Sequence, residues 1–243
     1  MSVGIFINVL SVIIGGIVGG LFGERLTEKF KVEINMIFGA CSMAMGIYAI
    51  VPMKYMPAVI LSVVLGTGFG MLIHLGERIN KGAVLMQRQI TKIMPNEKVD
   101  LPEEEFVSTL VTVIVLFCAS GSGIYGRLHS GMTGNHSVLI AKSILDFFTA
   151  AIFASSLGYV VSVIAIPQFI VFMLIFLLAN VISPFIQPDM ILDLLAAGGI
   201  LMLATGFRMI KVKMFSTADM IPAMAFVMPI SWAWGNWVLP LLS

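Results

Sequence analysis

Eight long apolar runs separated by polar intervals fill the chain, at about 3–22, 35–53, 57–76, 106–126, 138–160, 168–186, 190–210 and 220–239. Each approaches the ~20 residues that an α-helix needs to cross a hydrocarbon core of about 30 Å, and lipid leaves backbone groups no outside partner. The pattern predicts an all-α, polytopic transmembrane bundle of about eight spans, forming one integral membrane domain over 1–243. Prolines stand where helix starts tolerate them: Pro57 opens the third span, Pro167 separates the fifth from the sixth, and Pro222 lies in the first turn of the eighth. The long polar interval, at about 77–105, contains ERINKGAVLMQRQITKIM, with basic and apolar residues at near-helical spacing. It predicts a cytoplasmic amphipathic segment, either lying on the inner leaflet or extending span three.

The cations test that layout, because cytoplasmic loops are enriched in Lys and Arg. With eight spans, one side receives Arg25, Lys29, Lys31, Arg78, Lys81, Arg88, Lys92, Lys98, Arg208, Lys211 and Lys213. The other receives Lys54 and Arg127, and Lys142 falls within a span. One missed or invented helix would scramble this sorting. The expectation is a multi-pass protein of the bacterial inner membrane with both termini outside.

Composition narrows the class further. Charged residues make up 11% of the chain and hydrophobic ones 59%, against about 25% charged in a soluble domain. A separate soluble domain is excluded. A net charge of +1 without a basic tract assigns no nucleic-acid partner. Cys41 and Cys118 lie inside apolar runs and read as small buried hydrophobes. No positive region or cleavage site precedes the first run, so it is expected to remain as a span.

Small residues mark packing faces. Gly15, Gly19 and Gly23 recur every four residues, as do Gly16 and Gly20, and Gly66 and Gly70 repeat the spacing. Such faces admit close helix approach, within one bundle or in a homo-oligomer. Two internal similarities compete. CSMAMGIY at 41–48 resembles CASGSGIY at 118–125. Ala44-Met45-Gly46 followed by Met56-Pro57-Ala58 resembles Ala204-Thr205-Gly206 followed by Ile221-Pro222-Ala223. The second offset is an odd number of spans, which implies an inverted repeat relating spans 1–3 to 6–8.

Ionisable residues at membrane depth are costly and are candidates for function. Lys142 and Asp146 share one face of the fifth span, four residues apart. Asp146 falls roughly 12 Å below the start of that helix at about 1.5 Å per residue, close to the bilayer midplane. The pair reads either as a structural ion pair or as a site for a solute, ion or proton. Ser120, Gly121, Ser122 and Gly123 in span four have low helix propensity, which suits an unwound stretch with exposed carbonyls as well as close packing. Asp193 and Asp219 near helix ends and Asn180 in span six are secondary candidates. His129 and His136 have no acid or Cys beside them and give no metal site. Trp232, Trp234 and Trp237 read as an interfacial anchor. No nucleophile-elbow, P-loop, zinc-protease or dinucleotide-binding pattern occurs, so neither an enzyme nor a cofactor is expected.

The segment LFCASGSGIYGRLHSGMTGNHSVLIAKSILDFFTAAIFASSLG resembles the central signature of the YdfK/YqgA family, bacterial integral membrane proteins classed as a domain of unknown function. The resemblance extends over nearly the whole chain through INVLSVIIGGIVGGLFG, AAGGILMLATG and ADMIPAM. The family pattern D-G-L-T-G-D-H-S is met here by residues 130–137, with Ser130 and Asn135 in place of its two acids. Its K-S-x-x-D matches Lys142, Ser143 and Asp146, while a Tyr-Gln-Gly usual in span six is missing from FIVFMLIF. The resemblance implies a plasma-membrane protein and supplies no substrate. Together these readings point to a transporter or channel for a small solute or ion, with its site between spans four and five. The alternative is a non-transporting scaffold or regulator in which Lys142 and Asp146 only hold the bundle together.

Overall fold

A computed structural model describes residues 3–22, 25, 27–93, 103–118, 121–182, 187–213 and 215–242. The elements are α1 (Val3–Phe22), α2 (Glu28–Ile50), α3 (Met56–Leu72), α4 (Leu75–Ile93), α5 (Glu103–Cys118), α6 (Gly121–Thr133), α7 (Ser137–Leu157), α8 (Val160–Val163), α9 (Ala165–Ile182), α10 (Pro188–Met209) and α11 (Ala223–Ala233), then a π-helical turn (Trp234–Val238) and α12 (Leu239–Leu242). No strand occurs among the described residues.

Five of the described helices are long and apolar enough to cross a membrane: Val3–Phe22, Lys29–Ile50, Ser137–Leu157, Val160–Ala179 and Pro188–Met209. A sixth crossing is available if α3 and α4, bent by 59°, form one span. The bend falls where His74 adopts a left-handed φ of 52°, which interrupts a helix at a non-glycine residue. Asp219 holds it, accepting from the Gly76 amide at 2.7 Å and from the Ser216 hydroxyl. Among the described residues, neither of the other two apolar runs forms one long helix. Residues 106–126 are shared between α5, ending at Cys118, and α6, beginning at Gly121. The run at 220–239 becomes α11, with Pro229 inside it, and the π turn; proline removes an intrahelical donor, and π turns absorb such irregularities.

Lipid as solvent explains which faces point out. On α1, Leu10, Ile14, Ile17 and Leu21 are exposed while Ile5, Asn8, Val12 and four glycines are buried. Val64, Ile144 and Leu174 are likewise each about 60% exposed, an arrangement that water would penalise and hydrocarbon does not.

Two groups of helices pack around separate cores. Val12, Ile90, Phe117, Ala150 and Val161 join α1, α4, α5, α7 and α8. Ala49, Val59, Leu194, Met202 and Met224 join α2, α3, α10 and α11. Between the groups, α6 packs on α7, α9 and α10.

Glycines set the closest approaches. A Cβ at Gly15 or Gly19 would collide with the Phe147 or Ala151 carbonyl on α7, and Gly66 abuts the Ala223 backbone. These faces are filled by contacts within the chain, the first of the two expected uses; Gly23 lies outside the described residues. The crossing of α2 and α10 is reciprocal. A Cβ at Gly46 would meet the Gly199 carbonyl oxygen at 2.7 Å, and one at Gly199 would meet that of Gly46 at 2.6 Å. Gly39 and Gly206 oppose one another in the same way, at 3.0 and 2.7 Å.

Candidate functional site

Lys142 and Asp146 are both buried, on the face of α7 turned toward the seam between the two helix groups. The Lys142 ammonium donates to both carboxylate oxygens, at 2.6 and 2.8 Å. Instead of snorkelling outward, as a lysine near a helix end can, it folds down one turn onto its partner. Asp146 Oδ2 also accepts from the amide of Asn8 on α1, at 2.8 Å. Asn8 Oδ1 in turn accepts from Gln168 on α9, at 3.0 Å, and both amides are fully buried. The glycines of α1 make this possible, because only a helix in backbone contact with α7 brings the short Asn8 side chain to the carboxylate.

The pair borders a cavity of about 30 Å³ lined by Ser42 and Met45 of α2, Leu116 of α5, Leu145 and Thr149 of α7, and Thr205 and Met209 of α10. Such a space holds one or two waters or a small ion. Three hydroxyls face it, but Ser42 already donates to the Met202 carbonyl and Thr205 to that of Leu201. Their oxygens therefore remain as acceptors for whatever enters. The site expected between spans four and five thus extends to α2 and α10. Ser42, Thr149 and Thr205 were not legible as site residues, since a lone hydroxyl in an apolar run looks the same whether it lines a cavity or bonds its own helix.

The other expected residues divide. Ser143 is buried but donates to the Leu139 carbonyl at 2.6 Å, within its own helix. Gly123 is buried in α6, which begins at Gly121. Ser120 lies outside the described residues, as do the side chains of Ser122 and Asn180. Arg127, counted from sequence among the outer flanking cations, is fully buried in α6 with its guanidinium over the Phe172 ring. His136 meets Ser130 at 2.5 Å. No group of three metal-binding side chains occurs among the described residues.

Asp193 stands apart from the cavity, as a buried cap. It accepts from the Lys54 and Tyr55 amides at 2.8 and 2.9 Å and from Ser231 at 2.7 Å, tying the turn before α3 to α10 and α11. Partial burial, the hydrogen bond to Asp189 and the charges of Asp189 and Asp193 together push the Tyr55 phenol above its ordinary value. Asp193→Asn keeps an acceptor but loses the charge, and should destabilise the folded protein by about 1 kcal/mol in a denaturation titration.

This is a helical membrane protein with a charged pair buried at the junction of two helix groups. Residues 3–232 match the model of a family described as protein of unknown function (DUF554), and the chain belongs to that family. It is 42% identical over 237 residues to the uncharacterized protein YqgA of Escherichia coli (strain K12), covering 98% of this chain and 99% of the relative. It is 28% identical over 225 residues to the uncharacterized membrane protein YdfK of Bacillus subtilis (strain 168), covering 91% of this chain and 92% of that protein. No solved structure matches.

Proposed function

We propose that this chain moves a small solute or ion across the bacterial inner membrane, with both termini outside, through a site at the seam between its two helix groups. The observation that carries the reading is the Lys142–Asp146 pair bordering a cavity that three hydroxyls also line. A pair needed only for rigidity gains nothing from an adjoining space, whereas a solute site needs both.

The inverted repeat expected from the sequence is part of the same proposal. Gly39 and Gly199, and Gly46 and Gly206, are each separated by 160 positions, and the four glycines pack reciprocally. Two further pairs at that separation touch directly: Asn8 with Gln168, and Ser42 with Met202. Equivalent residues of a two-fold repeat meet only beside its axis. An axis through these pairs passes next to the cavity, where transporters built from inverted repeats place their sites.

Liposome flux with the purified protein tests this. A panel of Na⁺, K⁺, H⁺, chloride, nitrate and formate gradients is imposed on vesicles containing the wild type or Lys142→Met/Asp146→Asn, which removes both charges and keeps an acceptor for Asn8. The expected result is flux of at least one species by the wild type and a loss of tenfold or more in the double variant. Equal flux in the two proteins, or a wild type that moves nothing in the panel, overturns the reading.

A further inference from the structure

Among the described residues, the charges of the polar interior do not balance. Among the described residues, Arg127 is fully buried, and its Nε, Nη1 and Nη2 all lack a hydrogen-bond partner. It lies over the Phe172 ring, which satisfies none of the five N–H donors. A buried lysine can shed its proton, but a guanidinium keeps its charge. Asp146 is close enough for its charge to act on Arg127, yet both of its oxygens are committed to Lys142 and one also to Asn8. Two cations and one carboxylate, counted among the described residues, leave an excess of one positive charge where the medium screens poorly.

A second unpaired group lies in the same corner. Asp146 can only accept, so the Asn8 amide nitrogen must face it and the Asn8 oxygen must face Gln168. Gln168 therefore donates its nitrogen to Asn8, and its Oε1 is left buried without a partner. Gln168 and Phe172 stand one turn apart on α9, which places this free acceptor beside the ring that Arg127 covers. Hydrogen-bonding capacity of both kinds is thus left open at one place, and the excess charge there is positive.

We infer that this corner binds a small monovalent anion, of halide to formate size, held by the Arg127 guanidinium with Lys142 adding to the field and a water donating to Gln168. Arg127 does not line the cavity of about 30 Å³ beside Lys142, and a fully buried guanidinium leaves room only for a small ion. A lipid phosphate is the poorer candidate, because Arg127 has no exposed surface for a headgroup to reach. The inference deepens the transport reading by naming its solute class and rests on that reading only for the anion's being cargo.

Thermal unfolding of the purified full-length protein tests binding separately from transport. Cys118 is buried and Cys41 exposed, so a thiol-reactive dye in a Cys41→Ser background reports unfolding through Cys118. Gluconate is replaced stepwise by chloride, nitrate or formate at constant ionic strength. The wild-type Tm is expected to rise with at least one of these anions, because a ligand that binds only the folded state stabilises it by mass action. Arg127→Met should show a flat titration and a higher Tm than the wild type in gluconate. Arg127→Lys, which keeps the charge without the planar fork, should need several-fold more anion for the same shift. A flat wild-type titration, or shifts in Arg127→Met equal to those of the wild type, would overturn the site. Chloride, nitrate and formate efflux from vesicles separates the two claims. An Arg127-dependent Tm shift with no efflux upholds the site and removes the transport role. Flux of another species without any anion-dependent shift does the reverse.

Discussion

Asp146→Asn alone is expected to destabilise the protein by about 3–5 kcal/mol, whereas Lys142→Met/Asp146→Asn should stay within about 1 kcal/mol of the wild type. The asymmetry follows from what each leaves behind. Removing only the carboxylate strands the Lys142 ammonium, which now donates at 2.6 and 2.8 Å to Asp146, in a corner that already holds the unpaired Arg127. Breaking one half of a buried pair exposes its partner's full desolvation penalty, while replacing both halves by groups of similar volume is close to neutral. Lysine can limit the damage by losing its proton, which sets the lower end of the range. Dye-monitored unfolding through Cys118 measures the effect. A single variant as stable as the double would mean that Asp146 is not the counter-charge of Lys142, and the electrostatic account of the site would fall with it.

Much of the architecture was legible in the sequence because lipid imposes one rule on every segment: apolar, helical and long enough. Six of the eight runs coincide with a long apolar helix or a bent pair near the expected places, and Lys142 and Asp146 were visible as charges where charge is rare. What escaped was context. Arg127 sits at the edge of its apolar run, where an outward-facing flank and an inward-facing buried cation have the same letters around them. Gln168 stood at the very start of its run, just after Pro167, where a polar residue marks a helix end, yet the proline falls in the first turn of α9, where it removes no needed donor. Asn8 was hidden in a glycine-rich run whose meaning was close approach; the approach is what delivers the Asn8 amide to Asp146.

Glycine substitutions test that close approach most directly, and they should separate sharply by position. At Gly19 a Cβ would run into the Ala151 carbonyl, which is backbone and cannot rotate aside. Gly19→Ala should therefore destabilise by about 2–3 kcal/mol, at the upper end of overpacking costs, and Gly19→Leu should prevent α1 from docking on α7 altogether. At Gly68, on the lipid-facing side of α3, an added Cβ meets nothing within 4 Å. Gly68→Ala should be neutral or stabilise by up to about 1 kcal/mol, since alanine favours helix and fills no occupied space. The consequence for the site is specific. Parting α1 from α7 withdraws Asn8 from Asp146 and with it the link to Gln168, so Gly19→Ala in reconstituted vesicles should lose flux even where the protein remains folded, while Gly68→Ala should keep it. Equal stability and equal flux for the two variants would show that α1 is a passive lipid-facing helix and that the Asn8–Asp146 contact plays no part in holding the charged pair in place.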